Sequence, residues 1–177
     1  WSSDVCSSDL QVLKQLPEPT LHVLLGLLNK VWTTGKFPDI WREATIIPIP
    51  KPNKDIQNPQ HYRPISLTSA LCKTVERIIT NRLMWYLEDN KILADIQSGF
   101  RKQRSTVDHL VRLETYVREA FMDQKHVVTV FFDLEKAYDT AWKHGVLQNL
   151  FKIGLRGHLP EFIRQFLDER RFRRSEE

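Results

Sequence analysis

The stretch Val127-Val128-Thr129-Val130-Phe131-Phe132-Asp133-Leu134-Glu135-Lys136-Ala137-Tyr138-Asp139 decides how this chain is read. Its first six residues form an unbroken β-branched and aromatic run, the pattern of a central strand covered on both faces. The run ends on Asp133. A carboxylate at the end of a buried strand is held rigidly near the sheet edge, where solvent and ligands reach it. Hard divalent cations such as Mg²⁺ take such oxygens and keep waters for the phosphates of a substrate. The plainer reading is that Asp133 opens a turn. Asp139 is read as the N-cap of a helix beginning at Thr140, a position that suits aspartate well.

Working outward, the pattern alternates helix and strand with helix dominant, which predicts an α+β layer architecture. Leu21, Leu24, Leu25, Leu28 and Val31 recur at helical spacing between Thr20 and Thr34, with Pro17 and Pro19 before them and Gly35 as the stop. Ala44–Ile49 reads as a strand closed by Pro48 and Pro50, and Lys51–His61 as a polar loop. Ser66–Asn90 is predicted as the longest helix, capped by Ser66 or Ser69. A loop around Gly99, a helix over Thr106–Asp123, and two helices over Thr140–Ile153 and Leu159–Leu167 follow.

The chain has 177 residues, 41% of them hydrophobic and 27% charged, a balance that excludes wholesale disorder. No apolar run approaches the ~18–20 residues that a membrane span needs. The six histidines show no metal-ligand spacing, and there is neither a nucleophile elbow nor a phosphate-binding glycine loop. Nothing marks secretion or nuclear import, so an intracellular location is expected, nucleus and cytoplasm not being distinguished. Residues 1–10 (WSSDVCSSDL) and 174–177 (RSEE) resemble translated sequencing adapter and are set aside as artefact. Removing Arg174 together with Asp4, Asp9, Glu176 and Glu177 leaves 25 basic and 18 acidic residues, a net charge of +7 instead of +4. That favours a polyanionic partner. The remaining cysteine, Cys72, is read as a small core residue.

The segment from Phe131 to Asp139 resembles the first catalytic motif of reverse transcriptases, in the FxDLxxAFD form of non-LTR retrotransposons. Three further blocks agree, in the family's order. Phe37 to Lys51 (FPDIWREATIIPIPK) is similar to the FPxxWKxAxIxPIxK block. Tyr62 to Leu67 (YRPISL), with Lys73 and Glu76 following, is similar to the YRPISL finger motif. Gln97 to Arg101 (QSGFR), with Arg104-Ser105-Thr106, is similar to QxGFRxxRST. Gly145 to Leu150, Gly154 and Phe166 to Phe172 match the run that follows. The flavour is that of the jockey-like group.

The resemblance implies a right-hand polymerase cut within the palm: residues 11–36 a helical lead-in, 37–125 a fingers-like region, and 126–173 the first part of the palm. It implies an RNA-directed DNA polymerase working on an RNA template, a DNA primer and deoxynucleoside triphosphates with two Mg²⁺ ions. Asp133 would be the catalytic residue and metal ligand. The backbone around Phe132 and Leu134 would lie near the triphosphate, and Tyr138 beneath the sugar, excluding a 2′-hydroxyl. Lys51, Arg63 and Arg101 would contact the triphosphate, and Lys102 and Arg104 the nucleic acid. The family's second catalytic motif carries two adjacent aspartates, and this sequence contains no Asp-Asp pair. That motif and the thumb are therefore expected beyond Arg173, and the fragment alone is expected to be inactive. A non-catalytic nucleic-acid-binding module and a decayed mobile-element remnant are the alternatives.

Overall fold

A computed structural model describes residues 7–137 and 140–174. The chain forms α1 (Ser7–Lys14), α2 (Glu18–Thr34), β1 (Glu43–Pro50), β2 (Tyr62–Leu67), α3 (Ala70–Asp89), α4 (Thr106–Met122), α5 (Lys143–Lys152), α6 (His158–Leu167) and β3 (Arg171–Arg174). Short 3₁₀ turns at Asp39–Trp41 and Pro59–His61 lead into β1 and β2. Helices and one small sheet make up the expected α+β class. The chain divides into two compact units, Trp1–Asn81 with Lys143–Glu177, and Arg82–Trp142.

In the first unit the strand order is β2-β1-β3. β1 pairs antiparallel with β2, Ile47 facing Ile65, and parallel with β3, Ala44 facing Phe172. The core gathers Val31, Phe37, Trp41, Cys72, Val75, Ile79 and Phe162, with Leu28, Trp32, Ile163 and Phe166 packed against it. α2 supplies Val31 and stops where predicted. Gly35 takes the left-handed conformation (φ +64°), and its N–H bonds the carbonyl of Val31 at 3.1 Å. The predicted helix start at Ser66 is corrected: Ile65, Ser66 and Leu67 extend β2 opposite Ile47, Ile46 and Thr45, so α3 begins only at Ala70. Ladder hydrogen bonds to β1 outweigh a serine's local capping preference there.

In the second unit, a capping box starts α4: the Asp108 carboxylate accepts the Ser105 N–H, and the Ser105 side chain faces the Asp108 N–H. The loop before it is tied back to the end of α3. Arg101 donates from Nε and Nη2 to the two carboxylate oxygens of Glu88, at 2.7 and 2.6 Å, and from Nη1 to the carbonyls of Ala94 and Gln97, at 2.9 and 3.1 Å. Its side chain is only 8% exposed. The Arg101 hydrogen bonds hold the Glu88 carboxyl below its ordinary pKa, with the charges of Arg101 and Arg104 adding to the effect. A depressed folded pKa gives stability that is present above the unfolded value of ~4.3 and lost as pH falls through the folded value. Protection of the amides across Ala94–Arg104, each rate referred to its intrinsic value at the same pH, is therefore expected to fall on acidification below about pH 4. Glu88→Gln should lower that protection at all pH values; protection in the variant that still follows the wild-type acid profile would contradict this.

The predicted central strand over Val127–Phe132 is corrected. This segment forms no strand, and Val128, Val130, Phe131 and Phe132 are exposed. A run apolar on both faces becomes a strand only where neighbours take up its N–H and C=O groups and layers cover both sides. Among the described residues, the one sheet is β2-β1-β3, and it does not include this run.

Candidate functional site

The β1–β2 hairpin brings two of the predicted site residues together. Arg63 faces Ile49 across the antiparallel ladder, and the ladder continues one step past β1, where the Lys51 N–H bonds the His61 carbonyl at 2.8 Å. Residues 49, 51, 61 and 63 thus share one face by strand alternation, with Lys51 and Arg63 as diagonal neighbours. Side chains pin the loop between them. Asp55 and Asn58 accept from the backbone N–H groups of Gln57 and Gln60 at 2.9 and 3.0 Å, and the Tyr62 hydroxyl donates to the Ile56 carbonyl at 2.8 Å. Lys51 Nζ donates to the Gln60 carbonyl at 3.1 Å, leaving two of its three donors for other acceptors. Arg63 is exposed, and its guanidinium has no partner among the described residues.

Arg101, expected to contact a triphosphate, anchors the Ala94–Arg104 loop, with four of its five N–H groups occupied inside the fold. Lys102 and Arg104 are exposed beyond that anchor. Asp133 is exposed in an irregular segment between Phe132 (91% exposed) and Leu134 (79%), not at the end of a buried strand. Tyr138 and Asp139 lie outside the described residues. Asp133 and Arg101 belong to the second unit, Lys51 and Arg63 to the first. Among the described residues no three His, Cys, Asp or Glu side chains come together in a way that could hold a metal ion. Asp133 offers one carboxylate, and a pair of Mg²⁺ ions is not accommodated by these residues alone.

Two arginines in the first unit, Arg42 and Arg170, join distant motifs. Arg42 is buried; its Nη1 donates to the carbonyls of Gln165 and Asp168 at 3.0 and 2.7 Å, and its Nη2 to the Gln165 side-chain oxygen at 2.9 Å. Arg170 answers from β3's approach. It donates to the Trp41 carbonyl at 2.7 Å, lies 3.4 Å from Glu76 Oε1 and stacks 4.0 Å from the Phe166 ring centroid. The FPDIWR and FLDERRF segments therefore form one clasp around Phe37. Nothing local in the sequence signals a pairing across more than a hundred residues.

Cys72 sits under this clasp, fully buried, its Sγ 3.1 Å from Glu76 Oε1. Burial first, then the hydrogen bond to Glu76, push its thiol up to about 12. At pH 8 its thiolate fraction is about 10³-fold below that of a free thiol. With Cys6→Ser, alkylation of Cys72 should proceed only as fast as unfolding exposes it. Rapid labelling under native conditions would contradict the burial.

Residues 49–177 match the reverse transcriptase (RNA-dependent DNA polymerase) family, and the chain belongs to it. It is 36% identical over 169 residues to the probable RNA-directed DNA polymerase from transposon BS of Drosophila melanogaster, covering 96% of this chain and 18% of that protein. To the RNA-directed DNA polymerase from mobile element jockey of the same organism it is 34% identical over 164 residues, covering 93% and 18%. To the retrovirus-related Pol polyprotein from type-1 retrotransposable element R2 of Popillia japonica it is 28% identical over 158 residues, covering 88% and 21%. The chain spans about a fifth of the length of these curated relatives. These relatives agree with the motif blocks in placing the chain among the reverse transcriptase domains of non-LTR elements, jockey included.

Proposed function

We propose that this chain is the fingers and the first part of the palm of an RNA-directed DNA polymerase that extends a DNA primer on an RNA template. The observation that carries the reading is the co-facial placement of Lys51 and Arg63 on a pinned hairpin, inside a chain of the reverse transcriptase family. Arg63 offers a planar fork that grips two phosphate oxygens at once, and Lys51 a compact point charge beside it. Together they would orient an incoming triphosphate and offset its negative charge. Asp133 would be the carboxylate that the chain contributes at the reacting phosphate. Two bound Mg²⁺ ions would supply charge neutralisation there, and they need carboxylates beyond Asp133. Arg101 acts here as a positioning residue that sets the loop carrying Lys102 and Arg104 toward the nucleic-acid backbone.

Tyr138 is proposed as the steric gate beneath the sugar. In the source protein, Tyr138→Ala is expected to raise incorporation of ribonucleotides relative to deoxynucleotides by at least about tenfold with little change for deoxynucleotides, measured by competitive single-nucleotide extension. An unchanged ratio would remove the gate assignment. By itself, the 177-residue chain would bind nucleic acid without extending a primer, because it offers one carboxylate and no Asp-Asp pair. An intracellular location, nuclear or cytoplasmic, goes with this reading. The test is primer extension on an RNA template by the protein of the uncut source reading frame, which should make DNA. An unrelated domain in place of the adjacent-aspartate motif, together with no synthesis, would favour a binding module without catalysis.

A further inference from the structure

We propose that Arg170 and Glu76 are positioning residues for the incoming triphosphate, because they lock together the two roots of the β1–β2 hairpin that carries Lys51 and Arg63. This rests on the polymerase reading and deepens it, adding two residues that do not touch the ligand. The chain enters β1 through Trp41 and Arg42. It leaves β2 at Leu67 and turns into α3 at Ala70, where Cys72 and Glu76 follow within two turns. One guanidinium ties these two roots. Arg170 Nη1 donates to the Trp41 carbonyl at 2.7 Å, and its Nη2 lies 3.4 Å from Glu76 Oε1. The Phe166 ring, its centroid 4.0 Å away, holds the plane of the fork. The next residue, Arg171, donates its N–H to the Arg42 carbonyl at 3.0 Å. The Cys72 thiol, 3.1 Å from the same Glu76 oxygen, holds that carboxylate as well. Both charged side chains are less than a third exposed, so water does not stand in for either partner as freely as it does on an open surface.

Beyond this bracket the hairpin has fewer neighbours. β3 pairs with residues 43–46 of β1, while residues 47–50 pair with β2 alone among the described residues. The outer half is a two-stranded ribbon whose direction is set at its base. From Ile46 to Lys51 is about 17 Å at the ~3.4 Å rise of an antiparallel strand, so a tilt of about 10° at the base moves Lys51 by about 3 Å. Arg63, facing Ile49, moves with it. A misplacement of ~1 Å already lowers a rate by up to about 10²-fold. The core cluster around Phe37 includes neither Arg170 nor Glu76, so loosening the bracket leaves that cluster in place. The two charges are opposite, which separates this role from a field effect. Arg170→Gln lowers the net charge and Glu76→Gln raises it, so a long-range field would shift triphosphate affinity in opposite directions. Loss of the bracket weakens it in both.

The test is single-turnover incorporation of one deoxynucleotide by the source protein on an RNA template with a DNA primer. It reads the apparent Kd of the triphosphate, and the amplitude corrects for the folded, primer-bound fraction. Arg170→Gln should raise Kd about tenfold and Glu76→Gln about threefold, with Arg170→Lys, which reaches one acceptor at a time, between wild type and Arg170→Gln. In a Lys51→Gln/Arg63→Gln background, adding Arg170→Gln should change Kd by less than about twofold, because the groups it positions are gone. A merely structural role lowers the amplitude and leaves Kd unmoved. If Arg170→Gln gives no amplitude, Glu76→Gln and Arg170→Lys decide the matter. Kd unchanged in the Arg170 and Glu76 variants, while Arg63→Gln raises it, overturns this inference and leaves the polymerase reading standing. Opposite shifts in Arg170→Gln and Glu76→Gln, or an undiminished effect of Arg170→Gln in the Lys51→Gln/Arg63→Gln background, overturn it as well. No synthesis by wild type, or Kd unchanged in Arg63→Gln, overturns the reading beneath and this inference with it.

Discussion

Phe37→Ala is expected to cost the first unit about 3–5 kcal/mol, a large fraction of the ~5–15 kcal/mol that holds a typical domain folded. The ring is 6% exposed and lies edge-on to Trp41, Phe162 and Phe166, with centroids 5.6, 5.6 and 6.0 Å away. Two guanidinium groups flank it as well, Arg42 at 5.4 Å and Arg170 at 5.7 Å from its centroid. Removing the ring forfeits its burial and its edge-to-face contacts, and it leaves a void that rigid aromatic neighbours fill poorly. It also strips an apolar wall from two partly desolvated charges, so the hydrogen bonds from Arg42 to Gln165 and Asp168 must work in a wetter environment. Urea unfolding followed by far-UV circular dichroism reads this as a lower midpoint at similar slope. Phe37→Leu, which keeps most of the volume, should fall between the two. A Phe37→Ala midpoint equal to wild type would show that the clasp does not hold the unit together.

Asp133→Ala is expected to lower primer extension by the source protein more than about 10³-fold. The effect is chemical and not structural. Asp133 is exposed and has no hydrogen-bond or ion-pair partner among the described residues, so its removal takes no interaction from the fold. Surface changes of that kind usually stay within about 0.5 kcal/mol. The melting temperature of Asp133→Ala should therefore match wild type while synthesis disappears. A variant that loses both together would place Asp133 among the fold's own contacts.

How much of this was legible in the sequence depends on how local each cause is. α2 ends at Gly35 as read, because a glycine in the left-handed region is a local stop. β1 was visible in Ala44–Ile49, because Pro48 and Pro50 punctuate a β-branched run. Val127–Phe132 misled because a strand is a relation between segments, and composition says only that a segment would accept neighbours. Ser66 misled for the mirror reason: a residue that caps helices well in isolation was taken up by the ladder to β1. Arg63 and Lys51 were readable as candidates through the motif blocks, while the hairpin that makes them neighbours was not, since β2 was not among the strands read from the sequence. The tie from Arg101 to Glu88 was not legible, because Glu88 lies thirteen residues earlier on another element, outside any motif. Arg42 and Arg170 stand inside quoted blocks, yet only packing shows that those blocks meet. The family itself was legible because four motif blocks in order carry far more information than any one carboxylate.

The central proposal is that Asp133 is the family's catalytic carboxylate. The helix read as starting at Thr140 behind an Asp139 cap begins at Lys143 instead, so no cap role is carried forward for Asp139. Primer extension on an RNA template by the source protein, with wild type and Asp133→Ala assayed side by side, tests the proposal most directly. The expected result is no extension above background for Asp133→Ala at an unchanged melting temperature. DNA synthesis retained in Asp133→Ala would contradict the claim.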